Sequence, residues 1–120
     1  LAGCVGPQCA HPPGPHGPSC ADILAARQLS ADADRNAAFA KIAGRIEVSP
    51  HEQMVLVDAT LDAGGLGPGE ADVLVALIKN AVFYPETRFH IGFRLQDYSS
   101  SAGKKRVVDA MVETPQKEKK

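Results

Sequence analysis

The sequence predicts an all-α fold, built as a short array of helical hairpins that repeat with a period of about 35 residues. Segments of helical length alternate with short turns from residue 21 onward, and several of these segments open with a proline. The same apolar pattern also returns in successive second helices. Hairpins with one apolar face bury that face by stacking on their neighbours, which is how helical repeat arrays are stabilised.

The helix boundaries follow from capping and turn residues. Ser49 is expected at the N-cap, Pro50 at the first helical position and Glu52 three residues after the cap, which is the capping-box arrangement. Gly64 and Gly65 are expected to end that helix, since glycine adopts the left-handed backbone without cost. The predicted helices span residues 21–28, 34–46, 50–63, 70–81, 85–98 and 104–113.

The repeat rests on two kinds of position. Residues 48–50, with the sequence Val-Ser-Pro, return as Phe-Tyr-Pro at residues 83–85, thirty-five residues later. The second helix of each hairpin carries an apolar stripe at i, i+3 and i+4, which marks one face of a helix. We expect these stripes at Phe39, Ile42 and Ala43, at Leu74, Leu77 and Ile78, and, with one gap, at Val108, Met111 and Val112.

An alternative fold, a small α+β domain with a strand at 88–96, stays open at this point. Apolar and polar residues alternate strictly there, with Phe89, Ile91, Phe93 and Leu95 on one side, and such alternation is typical of a strand. Residues 54–57 are also rich in β-forming side chains. Because a helix-initiating proline precedes both segments, we favour helices.

The body, which we place at residues 21–113, resembles HEAT-like α-helical repeats over about residues 34–113. The resemblance consists of the apolar pattern and of the proline at each helix start. It implies a protein-binding surface and supplies no catalytic residues.

A leader of different composition precedes the body at residues 1–20, and a short charged tail follows at 114–120. The leader holds all three cysteines and no Asp, Glu, Lys or Arg. It also holds five of the nine prolines, namely Pro7, Pro12, Pro13, Pro15 and Pro18. Because proline and glycine both oppose regular structure, we expect an irregular, flexible tether.

The first four residues, Leu1-Ala2-Gly3-Cys4, resemble the lipobox of bacterial lipoproteins. In that family the chain is cut before the cysteine, whose sulfur takes a diacylglycerol. The resemblance implies a lipid on Cys4, a membrane anchor, and a place in the bacterial cell envelope facing the periplasm or the outside. Two or more acyl chains anchor a protein stably, whereas one holds it marginally.

Three fates remain open for the other cysteines. Cys9 and Cys20 are an even pair if Cys4 carries lipid, and an exported protein meets oxidising conditions, so they are candidates for a disulfide worth about 2–3 kcal/mol. They are otherwise free thiols. A third alternative is a zinc or copper site formed by Cys9, His11, His16 and Cys20, the residue types that these metals prefer.

No catalytic arrangement stands out in the sequence. There is no Gly-x-Ser-x-Gly elbow, and the glycine-rich residues 64–69 lack the Gly-Lys-Ser/Thr ending of a phosphate-binding loop. Asp58 and Asp62 are expected on a solvated face, while His51 and His90 are expected as ordinary surface or half-buried residues. We therefore predict no enzyme and no cofactor.

The charges narrow the class of partner. Thirteen basic residues nearly balance fourteen acidic ones, so no basic face is expected for nucleic acid. Taken together, the sequence predicts a membrane-anchored envelope lipoprotein whose helical repeat domain mediates protein–protein interaction. Self-association through an exposed terminal face belongs to this prediction, and metal handling by the leader is the alternative function.

Overall fold

The computed structural model describes residues 17–114, and within that range six helices and no strand are present. The all-α prediction is confirmed, and the alternative strand at 88–96 is wrong, because almost all of that segment lies in a helix. The helices are α1 (Gly17–Arg27), α2 (Asp32–Ala43), α3 (Pro50–Gly64), α4 (Pro68–Ile78), α5 (Pro85–Leu95) and α6 (Ala102–Glu113).

The helices form two layers, and each layer takes every second helix of the chain. In the first layer α3 packs between α1 and α5, and in the second layer α4 packs between α2 and α6. The chain therefore runs through three successive hairpins, α1–α2, α3–α4 and α5–α6, stacked in sequence order. This is the predicted array of helical hairpins; the HEAT-like type of the repeat stays a prediction.

The middle hairpin shows how local sequence sets the helix ends. The Glu52 N–H donates to Ser49 Oγ at 3.1 Å, and the Ser49 N–H donates to Glu52 Oε1 at 2.9 Å, so the predicted capping box is confirmed. Gly65 ends α3 with a φ of 74°, a conformation that side chains other than glycine rarely adopt. A lost N-cap of this kind costs about 1 kcal/mol.

The alternating pattern in α5 consists of two helical stripes. Pro85 occupies the first turn of the helix, where its fixed φ suits the helix and its missing N–H is not needed. Thr87, Ile91 and Leu95 are spaced four residues apart and are buried. Phe89 and Phe93 have the same spacing on the opposite, exposed side. An alternation of period two over nine residues is thus compatible with a helix that buries only one side.

The apolar stripes of the second layer fill the core, with one correction. The predicted stripes of α2 and α4 are all buried to 3% exposure or less. In α6 the predicted third stripe is displaced by one residue: Val107 and Ala110 are buried and Met111 is partly buried, while Val108 and Val112 are exposed. Val107 follows Leu74 by 33 residues, whereas Leu74 follows Phe39 by 35. The spacing differs because the turn before α6 determines how that helix is rotated.

The predicted boundary between leader and body also needs an adjustment, since α1 begins at Gly17 and includes the last four residues of the predicted tether. Residues 1–16 and 115–120 are not described. The candidate sites Cys4, Cys9, His11 and His16 therefore lie outside the described residues, and their predicted roles stay predictions. None of the helices between residues 17 and 114 is long and apolar enough to cross a membrane.

Candidate functional site

A buried amide joins α3 to α5 in the first layer. The Gln53 side chain is 1% exposed, and its Nε2 donates to the Val82 carbonyl at 2.6 Å. Its Oε1 accepts from Thr87 Oγ1 at 2.7 Å and from the Tyr84 N–H at 3.4 Å. Because every polar atom of this side chain has a partner, Gln53 acts as a structural link and offers nothing to a ligand.

A charged cluster joins the same two helices nearer the surface. Asp58 Oδ1 accepts from Arg94 at 2.5 Å and lies 2.7 Å from His90 Nε2, while Asp62 accepts from Arg94 at 2.8 Å. Partial burial lowers the pKa of Arg94, but hydrogen bonds and charge from Asp62 and Asp58 outweigh it and hold that pKa above its usual range. The two carboxylates thus share a cation from the next helix.

The position of these acids shows which side of each helix faces the next hairpin. Asp58 lies on the side of α3 that contacts α5. In the second layer, Asp72 of α4 pairs with Arg106 of α6 at 2.6 Å, and Val75 and Lys79 of α4 line a groove together with α6. Each hairpin therefore presents one stripe per helix to the hairpin that follows it.

The last hairpin presents its own corresponding stripes to solvent. Phe93 lies thirty-five residues after Asp58, and Val108 and Val112 lie thirty-three residues after Val75 and Lys79. Phe89 precedes Phe93 by one turn. We call the surface formed by these four side chains the C-terminal face; their exposed fractions are 78% for Phe89, 57% for Phe93, 38% for Val108 and 73% for Val112.

The C-terminal face is large for a chain of this size. A phenylalanine side chain covers about 150–250 Å², so the two rings leave on the order of 250 Å² in solvent. With the valines, the four side chains together leave about 400 Å² of apolar surface in solvent, an amount that marks interaction surfaces on many proteins. Terminal repeats of helical arrays normally present a polar outer side. This hairpin presents an apolar one.

The opposite end of the array has a different shape. A groove of about 290 Å³ lies between α1 and α2, and none of its lining residues belongs to α3 or α4. Asp22 and Arg45 pair across it at 2.6 Å. We call it the N-terminal groove, and its lining residues are mostly small or apolar: Asp22, Ala25, Ala26, Leu29, Ala38, Lys41, Ile42 and Arg45.

Cys20 is the one candidate site residue of the predicted leader that the structure describes. It lies in α1, is 3% exposed and disulfide-bonded, and its partner lies outside the described residues. Its N–H donates to Glu52 Oε2 of α3 at 3.1 Å, which fixes the start of α1 against the middle hairpin. The predicted Cys9–Cys20 pairing and the metal set of Cys9, His11, His16 and Cys20 remain untested, and residues 17–114 contain no group of three metal-binding side chains.

Sequence reasoning found some members of these sites and missed others. It expected Asp58 and Asp62 on a solvated face and His90 as an ordinary surface or half-buried residue. It did not connect them to Arg94, because the contact joins residues thirty-six positions apart on different helices. It named Phe89 and Phe93 only as part of an alternating pattern. Their common exposure follows once α5 is a helix, and that spacing of four residues was the available signal.

Comparison with known proteins adds no relationship to these observations: no protein-family model matches the chain, nor does any curated protein or solved structure.

Proposed function

We propose that the chain is a membrane-anchored envelope lipoprotein whose helical array binds a protein partner through the C-terminal face. The observation that carries this proposal is the exposure of Phe93, Val108 and Val112, whose equivalents in the middle hairpin face the next hairpin. Phe89, one turn before Phe93, is exposed as well. Two stripes that match a helix-packing surface fit a helical partner.

The exposed apolar area favours a protein partner that brings a comparable surface. Covering about 400 Å² of apolar surface contributes on the order of 10 kcal/mol at about 25 cal/mol per Å². Association costs about 4–15 kcal/mol, so the partner has to bring a comparable apolar surface for a net gain. Phe89 and Phe93 are the large, centrally placed anchors that such an interface needs.

The anchor part of the proposal rests on the sequence at Leu1–Cys4. A lipid on Cys4 would hold the array close to a membrane, with the leader as a spacer, and a disulfide at Cys20 would tie the end of that spacer to the array. Mass spectrometry of protein made in the native host tests it. A lipid adduct on Cys4 that is lost in Cys4→Ser is expected, whereas mature protein with a free Leu1 would contradict the anchor.

The binding part of the proposal is tested by photo-crosslinking in the native host. A photoreactive phenylalanine analogue replaces Phe93 in one variant and Ile46 in the other. Ile46 is a matched control because it is apolar and 66% exposed, and it lies in the turn between α2 and α3. We expect a discrete cross-linked species from position 93 only. No adduct from position 93, or the same adducts from both positions, would overturn the proposed binding face.

A further inference from the structure

We infer that the partner of the C-terminal face is a second copy of this chain, which docks through its N-terminal groove and continues the array from one molecule to the next. The inference rests on the proposed function and names the partner of the same face. It makes the contact head-to-tail: the last hairpin of one copy packs on the first hairpin of the other.

The internal repeat indicates that the N-terminal groove would receive a preceding hairpin. In the first layer, His90 and Arg94 of α5 contact the preceding helix α3. The residues sixty-eight positions earlier are Asp22 and Ala26, and both line the N-terminal groove.

The second layer gives the same result with the same spacing. Arg106 of α6 pairs with the preceding helix α4, and Ala110 of α6 lines the groove between them. Sixty-eight positions earlier are Ala38 and Ile42, which also line the N-terminal groove. The groove is therefore built from the positions that receive a preceding hairpin elsewhere in the array, although no preceding hairpin is present among the described residues.

Repeating the internal junction between two copies brings complementary shapes together. Asp58 contacts His90 and Arg94, so its equivalent Phe93 meets Asp22 and Ala26 of the second copy. Val108 and Val112 meet Ala38 and Ile42 in the same way. Large side chains thus project from one end, and the other end offers a groove whose lining includes Ala25, Ala26 and Ala38, with Ala26 and Ile42 the buried members. This is the ridges-into-grooves relation of packed helices.

The other occupants that the chain itself could supply fit less well. The tail after Thr114 reads Pro-Gln-Lys-Glu-Lys-Lys and contains no large apolar side chain that could cover the C-terminal face. A symmetric face-to-face dimer would cover the phenylalanines but would leave the N-terminal groove uncovered by any helix of residues 17–114. A head-to-tail contact uses both surfaces, and because it does not close on itself it produces chains longer than two copies.

Sedimentation equilibrium of the full, unlipidated chain with its disulfide intact tests the inference. We expect the weight-average mass to rise beyond two copies as the concentration approaches about 1 mM, the range of weak interfaces. F89D/F93D removes the projecting side chains, and A25R fills the groove from an exposed position. Each variant alone is expected to associate at least about tenfold more weakly than the wild type. A63R, an exposed alanine near the end of α3, is the matched control and is expected to behave as the wild type.

Mixing the two damaged variants gives the decisive result. F89D/F93D keeps an intact groove and A25R keeps an intact C-terminal face, so a mixture is expected to form a complex of one copy of each that grows no further. Wild-type protein that stays monomeric at the highest concentration would overturn the inference, and so would A25R that associates as the wild type does. These outcomes leave the proposed function standing if Phe93 still cross-links a different protein in the host.

Discussion

The middle and last hairpins have the same architecture but opposite outer surfaces. In the middle hairpin, the stripes that face onward carry Asp58, Val75 and Lys79. Asp58 pairs with Arg94 of the next hairpin, and Val75 and Lys79 line a groove together with α6. In the last hairpin the equivalent positions carry Phe93, Val108 and Val112, and no helix among residues 17–114 covers them. Among residues 17–114, the onward-facing stripe is thus more polar in the middle hairpin than in the hairpin formed by α5 and α6.

This difference bears on what covers the outer side of α5 and α6. That side is more apolar than the corresponding junction between α3–α4 and α5–α6. An exposed apolar surface of this kind fits a site that receives another molecule.

The largest expected effect on stability compares a buried side chain of the middle hairpin with an exposed side chain of the last hairpin. Leu77 of α4 is fully buried, so Leu77→Ala removes packing contacts and leaves a cavity. We expect a loss of about 2–5 kcal/mol in the free energy of unfolding, measured by urea denaturation. The control, Val112→Ala on the C-terminal face, is expected to stay within about 0.5 kcal/mol of the wild type at low protein concentration. Equal losses would mean that the last hairpin is covered as the middle one is.

The next effect concerns the polar link at the junction of α3 and α5. Gln53→Ala leaves the Val82 carbonyl and the Thr87 hydroxyl without their partner. We expect a loss of about 2–4 kcal/mol, since each buried group left unsatisfied costs about 1–3 kcal/mol. Gln28→Ala, at an exposed position after α1, is the control. A Gln53→Ala variant as stable as that control would show that the amide does not join the two helices.

A smaller effect sharpens the register of the last hairpin. Val107 is fully buried and Val108 is exposed, although a sequence alignment with a single gap places Val108 on the inner stripe. Val107→Ala is expected to lower the free energy of unfolding by about 1–3 kcal/mol, and Val108→Ala by no more than about 0.5 kcal/mol. Thermal denaturation of both variants measures the difference. If Val108→Ala lost more stability than Val107→Ala, Val108 would face the core, and α6 would be rotated by one residue from the observed orientation.

The smallest effect concerns the charged cluster between α3 and α5. Arg94→Met keeps the aliphatic stem but removes the cation that Asp58 and Asp62 share. Because this group is only partly buried, we expect a loss of about 1–2 kcal/mol. Arg27→Met, at an exposed position in the last turn of α1, serves as the control. No difference between the two variants would show that the cluster contributes nothing to holding the hairpins together.

Local signals in the sequence predicted most of the fold. The capping box at Ser49 and Glu52, the prolines at helix starts and the apolar stripes of α2 and α4 each act within a few residues, so they can be recognised without knowledge of the tertiary structure. The repeat of about 35 residues then implied stacking. These signals are sufficient for helix type and order.

The surfaces depend on longer-range information. The sharing of Arg94 by Asp58 and Asp62 requires two helices at a known distance. The displacement of the third stripe from Val108 to Val107 requires the rotation of α6, which its preceding turn determines. Exposure of Phe89 and Phe93 depends on which side of α5 is buried, and the alternating pattern alone allowed a strand with both rings in the core.

A concentration series of amide NMR spectra on the full chain tests the central claim most directly, because it reports both ends of the array in one experiment. Between about 0.05 and 1 mM we predict that amides around Phe89, Phe93 and Val112 shift together with those around Ala25 and Ala38, while amides in the middle of α3 do not. Shifts confined to the C-terminal face would indicate face-to-face pairing, and an absence of shifts would indicate a monomer. Either result would contradict the head-to-tail account.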